Sequence, residues 1–97
     1  MDDRQAYVEK RRAEIREMEA DIAKMRAKAD QAKADAKIRY QERANRLQQT
    51  VDDMKHQLDE VGQTAESAWQ DLREGFDRSM EELKRGVGSA KREFESI

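Results

Sequence analysis

From Ile15 to Val61, apolar or alanine side chains recur every three or four positions, and the first 61 residues contain neither glycine nor proline. An α-helix turns once every 3.6 residues, so this spacing lays one continuous stripe along one side of a helix. The stripe begins Ile15, Met18, Ile22, Met25, Ala29, Ala32 and Ala36, with steps of three and four alternating as in the a/d seam of a coiled coil. It then steps by four through Tyr40 and Ala44, a stutter that locally unwinds a supercoil. Heptads resume through Leu47, Val51, Met54, Leu58, Val61 and Ala65. The pattern predicts a single long heptad helix over 1–61.

Beyond Gly62 the spacing changes. Trp69, Leu72 and Phe76 are followed eleven residues later by Met80, Leu83 and Val87, and Leu83 in turn by Phe94. An eleven-residue repeat of three turns predicts a second, straighter helix over 65–97. Beside its large column runs a small one of Ala68, Gly75, Ser79 and Gly86. Its polar borders differ in sign, with Arg73, Lys84 and Lys91 on one and Asp71, Glu82 and Glu93 on the other. Opposite borders suit a neighbouring helix better than a bilayer, whose headgroups favour a uniformly basic rim.

The fold class is therefore all-α, one elongated helical domain spanning the 97 residues. Two forms satisfy the pattern. In the first, the chain bends near Gly62, with Thr64 or Ser67 capping the next helix, and Phe94 lies beside Asp30, Val87 beside Lys37 and Met80 beside Ala44. In the second, the apolar phase runs from Val61 through Ala65 to Ala68 and the helix never breaks, since one interior glycine costs only about 1 kcal/mol. The hairpin would be about 90 Å long and the rod about 145 Å. Either form leaves Val8, Ile15, Met18, Ile22 and Met25 uncovered within the chain, which predicts association as a coiled coil or antiparallel bundle.

Composition narrows the function classes. Twenty basic and 22 acidic residues leave a net charge of −2, which argues against a general polyanion binder, so nucleic acid is not an expected partner. The chain has no cysteine, no long apolar run and no secretory pattern, so the reading is a soluble, cytoplasmic protein. Within the sequence charge is segmented: residues 24–46 hold eight basic and three acidic side chains, residues 47–66 one basic and five acidic. Such blocks orient partners more than they stabilise them.

Candidate chemistry is sparse. His56 is the only histidine and has no second soft ligand to share a metal. The pairs Asp52 and Asp53, Asp59 and Glu60, and Glu81 and Glu82 are adjacent in sequence and point about 100° apart on a helix. Serines 67, 79, 89 and 96 have no base near them in sequence, and Gly86–Ser89 lacks the lysine of a phosphate loop. Arg39, Arg43 and Arg46 around Tyr40 could meet phosphates, but Tyr40 falls on the seam. Met18, Met25, Met54 and Met80 lie at core spacing, as adaptable filling. No catalytic, cofactor-binding or metal residues are expected, and no cofactor. The residues expected to matter are packing residues: Ile15, Met18, Ile22 and Met25 for association, and Trp69, Leu72, Phe76, Leu83, Val87 and Phe94 along the second helix.

Two segments, KADQAKADAK at Lys28–Lys37 and SAWQDLREGFDRSMEELKRGVGSAKREF at Ser67–Phe94, together with the opening RQAYVEK, resemble a family of small bacterial and cyanobacterial coiled-coil proteins described as stress-response proteins. In that family the second eleven-residue unit tends to begin Ala-Trp, where this chain has Ser79 and Met80. The resemblance implies a non-enzymatic helical protein of the cytoplasm with no catalytic residues to carry over. The expected function is structural or interactive, through a homo-oligomer or a partner helix. The alternative is reversible binding of membrane or lipid surfaces through 65–97.

Overall fold

Three helices, not one or two, account for the described residues. The computed structural model describes residues 3–96, with α1 at Asp3–Asp30, α2 at Ala34–Gln63 and α3 at Trp69–Glu95. Helices α1 and α2 run antiparallel, as do α2 and α3, which leaves α1 and α3 parallel. The bundle measures 52 × 19 × 17 Å, far shorter than a 145 Å rod or a 90 Å hairpin. The all-α class and the elongated shape expected from the stripe are both present.

The helix expected to run unbroken over 1–61 folds back at Gln31–Lys33. No glycine marks the place, and among the described residues none has a positive φ. Helix α1 closes with Gln31 N donating to Lys28 O at 3.0 Å and Ala32 N to Ala29 O at 3.1 Å. Lys33 is extended at φ −65°, ψ 155°, and Lys37 N donating to its carbonyl at 2.7 Å starts α2. Nothing local forbids a helix here. Packing overrides propensity: doubling back covers the stripe of α1, and each large aliphatic side chain buried returns about 1.5–3 kcal/mol. Val8, Ile15, Met18, Ile22 and Met25 are all buried within the chain. The uncovered stripe on which the oligomer expectation stood is therefore covered by α2 and α3.

The second turn falls slightly later than expected. Gly62 is helical inside α2, and the chain leaves the helix at Thr64, extended at φ −69°, ψ 166°. Neither Thr64 nor Ser67 caps α3; Ala68 stands at the cap position without a side-chain bond, and Trp69 N donates to Ala65 O at 3.2 Å. The later turn shifts the register of α2 against α3. Phe94 stacks on Tyr40, with ring centroids 4.8 Å apart, and Gly86 faces Leu47. The pairings of Val87 with Lys37 and Met80 with Ala44 are replaced accordingly. Lys28, near the end of α1, donates to the carbonyl of Phe94, so the end of α3 does lie close to Asp30, but through a parallel helix.

The core of α3 is heptad, not eleven-residue. Trp69, Phe76, Leu83 and Ala90 form one row and Met80, Val87 and Phe94 the other, all buried. Leu72 is 40% exposed and does not belong to the core, which corrects its assignment as a packing residue. Arg73 holds the core-register position that Leu72 was expected to fill. The eleven-residue spacing arises because Arg73 and Ala90 occupy heptad positions without a large apolar side chain, while the exposed Leu72 falls eleven residues before Leu83.

Candidate functional site

At the end of the bundle that carries the α2–α3 turn, arginines occupy core-register positions on both parallel helices. Counting by sevens from Met18 and Met25 reaches Arg11 and Arg4 on α1, as counting from Met80 reaches Arg73 on α3. Long guanidinium side chains can sit there because their stems lie on apolar surface while the heads reach polar partners. Arg4 donates to the carbonyls of Val61 at 3.5 Å, Gly62 at 3.2 Å and Thr64 at 2.6 Å, so it caps the carboxy-terminal end of α2, and it also pairs with Glu66. A cation at a helix C-terminus meets the negative end of the helix dipole. Its guanidinium and that of Arg73 stand 5.8 and 5.6 Å from the Trp69 ring, and Arg73 and Arg11 lie 5.0 and 5.5 Å from Tyr7. Each such contact contributes about 0.5–2 kcal/mol.

Below this layer a charged chain joins α1 to α3. Tyr7 Oη donates to Asp77 Oδ1 at 2.5 Å, Arg11 Nη2 donates to the same oxygen at 2.8 Å, and Arg11 Nη1 pairs with Glu14 at 3.1 Å. Glu14 also pairs with Lys84, and Asp21 with Lys91 at 3.5 Å. Tyr7 to Asp77, Glu14 to Lys84 and Asp21 to Lys91 keep one offset of 70 residues, three rungs a heptad apart. They hold two parallel helices in register. The basic border of α3 expected to face a neighbouring helix faces α1, and Glu93 on the opposite border meets Arg43 of α2 at 3.3 Å.

The electrostatics of this cluster resist acid–base chemistry at neutral pH. Burial and the Asp77 bond push the Tyr7 hydroxyl up to about 12, too high for a base or nucleophile. Burial raises Asp77 and Glu14, but hydrogen bonds and ion pairs outweigh it. Tyr7 and Arg11 hold Asp77 below the usual carboxylate range, as Lys84 and Arg11 do Glu14. Arg11 is raised, its bonds to Asp77 and Tyr7 outweighing the opposing effect of burial. Tyr7, Arg11, Glu14 and Asp77 are each held in their ordinary charge state by a neighbour, which suits a structural lock.

The opposite end, at the Gln31–Lys33 turn, is built differently. Its seam is alanine apart from Tyr40, its bonds between α1 and α2 are the exposed Gln41 to Asp30 at 3.0 Å and Arg26 to Asn45 at 2.7 Å, and Ile38 is 58% exposed. Fold-back brings the basic block 24–46 together with Lys84, Arg85, Lys91 and Arg92 of α3. That half of the rod carries a net positive charge and the half with the α2–α3 turn a net negative one, with both signs present in each. A shallow groove of about 260 Å³ at the basic end has Met25 and Phe94 as its floor and Lys24, Lys28 and Lys91 among its walls.

Ile15, Met18, Ile22, Met25, Trp69, Phe76, Leu83, Val87 and Phe94 thus come together in one intramolecular core, as do the methionines Met54 and Met80, while Leu72 stays outside. The apolar face of α3 offered as a lipid surface lies inside the bundle. His56 and the acidic pairs 52–53, 59–60 and 81–82 are exposed, and among the described residues no group of acidic, histidine or cysteine side chains could hold a metal ion. Tyr40 is engaged with Phe94 and Arg43 with Glu93, leaving Arg39 and Arg46 facing solvent. No described helix is long and apolar enough to cross a membrane. The apolar stripe does not foresee the arginine-aromatic cluster, because a stripe counted on apolar side chains passes over charged ones; the signal available was Arg4, Arg11 and Arg73 standing in heptad phase with the core. No protein-family model, no curated protein and no solved structure matches this chain.

Proposed function

We propose that this chain is a non-enzymatic helical interaction module of the cytoplasm, working by self-association or by binding a partner helix in a stress-response setting. The setting rests on the resemblance of Lys28–Lys37 and Ser67–Phe94 to coiled-coil stress proteins. The mode of action rests on the structure's charge. With the apolar stripes occupied inside the bundle, the surface that remains for recognition is charged, net positive in one half and net negative in the other half of a 52 Å rod. Rods of this kind attract one another end to end, basic half to acidic half, and would likewise orient an acidic partner helix on the basic end.

Such contacts lie between exposed charges, so they weaken as the Debye length shrinks, from about 30 Å at 0.01 M salt to about 3 Å at 1 M. Sedimentation velocity at the two extremes tests the proposal. Reversible association at low salt that dissolves at high salt is expected, and reversing Arg39 and Arg46 to glutamate abolishes it. A monomer at both extremes, with no gain on adding an acidic helical peptide, overturns the reading.

A further inference from the structure

The two turns of the bundle are unequal, and the weaker one lies where the sequence encodes a helix. We infer that Gln31–Lys33 is a hinge that straightens, so that α1 leaves its own chain and packs into the bundle of a second copy, which returns its own α1 in exchange. This deepens the self-association reading by naming the contact: a domain-swapped dimer around one continuous helix over 3–63.

Four observations carry it. The hinge contains no glycine or proline and, among the described residues, no positive φ, so every residue of 27–40 accepts helical geometry. The seam remains in phase through the turn, from Met25 by Ala29, Ala32, Ala36 and Tyr40 to Ala44, so a straightened chain still presents one stripe. The start of α2 at Lys33 has no side-chain cap, and straightening would let the first N–H groups of α2 bond the last carbonyls of α1. Finally, the bonds between α1 and α2 beside the turn, Gln41 to Asp30 and Arg26 to Asn45, are exposed, and an exchanged partner can restore them together with the Lys28 bond to Phe94. The α2–α3 turn also starts its helix without a side-chain cap, but there Arg4 bonds the carbonyls of Val61, Gly62 and Thr64 and so holds the turn closed.

Exchange preserves the core contacts of the closed bundle while removing one turn per chain, and short connections between helices that could be continuous are the setting in which swapping occurs. Charge opposes it. In the swapped dimer the two basic halves meet around the hinge and the acidic ends point outward, so salt or a polyanion screens the repulsion and favours the dimer. That dependence is opposite in sign to the end-to-end association above, which separates the two.

The test refolds a one-to-one mixture of isotopically heavy and light chains from denaturant at high concentration and high salt. The mixture is then treated with a zero-length carbodiimide, which joins Lys55 to Glu19, 2.8 Å apart. In the dimer fraction, cross-linked peptides carrying one heavy and one light half are expected to be as abundant as those of uniform label. Lys33→Pro fits the closed turn, whose φ at that position is −65°, but breaks a continuous helix, and raises the dimer Kd by at least about a hundredfold. Deleting 31–33 leaves no turn to close and yields dimer alone. Absence of any dimer from the wild-type chain, a dimer whose cross-links are all of uniform label, or a dimer unaffected by Lys33→Pro overturns the inference; the end-to-end reading survives each of these.

Discussion

The end of the bundle at the α2–α3 turn and the end at the α1–α2 turn are made of the same three helices yet are held by different physics. At the first, Arg4, Arg11 and Arg73 interleave with Tyr7 and Trp69, cap a helix and lock α1 against α3. At the second, the seam is mostly alanine with Tyr40 stacked on Phe94, the bonds between α1 and α2 are exposed, and Ile38 stands in solvent. Partly buried charge-assisted bonds are more numerous at the first end, so local opening is expected to begin at the second. A rod can thus carry a rigid end and an adaptable one without a change of fold.

The largest perturbation should erase the distinction altogether. Leu83 is 5% exposed in mid-bundle, and Leu83→Asp buries an unpaired carboxylate, costing at least about 4 kcal/mol and melting both ends together, as circular dichroism would record. Arg11→Ala acts on one end only. It strips Asp77 and Glu14 of a shared partner and should cost about 1–3 kcal/mol, with amide exchange accelerating around 4–14 and 69–80 while 26–40 stays as it was. Equal acceleration at both ends would show that the ends are not separate units.

Tyr7→Phe should cost about 1 kcal/mol near neutral pH and give the lock a signature in alkali. Because Tyr7 titrates at about 12 in the folded chain against 10.0 unfolded, its contribution is fully present below pH 10 and declines as pH rises toward 12. Urea midpoints of the wild type should fall toward those of Tyr7→Phe across that window. On the acid side, Asp77 and Glu14 have lowered folded values, so their contribution is present at neutral pH and disappears as pH drops through those values.

Smaller effects sharpen the register. A Cβ built on Gly75 meets nothing within 4 Å, so Gly75→Ala should stabilise by about 0.5–1 kcal/mol. Leu72→Gln should change stability by less than about 0.5 kcal/mol, as an exposed site requires; a cost of about 2 kcal/mol would restore the eleven-residue core. Gln41→Ala, which removes an exposed bond at the adaptable end, should also stay within about 0.5 kcal/mol.

Helical class, the seam from Ile15 to Val61 and the signs of the two borders of α3 were all legible in the residues, because helix periodicity is local and each side chain declares its face within one or two turns. Tertiary structure decided where the chain turns back, that α1 is covered by its own chain, and that Arg73 and not Leu72 sits in the core register. These are long-range outcomes. A turn at Gln31–Lys33 forms only because burial gained across the whole length of α1 outweighs the few helix bonds lost, and no window of neighbouring residues contains that sum. The same holds for the arginines at the locked end, whose surroundings become apolar and aromatic only after the parallel pairing of α1 with α3 has brought Tyr7, Trp69 and Asp77 together.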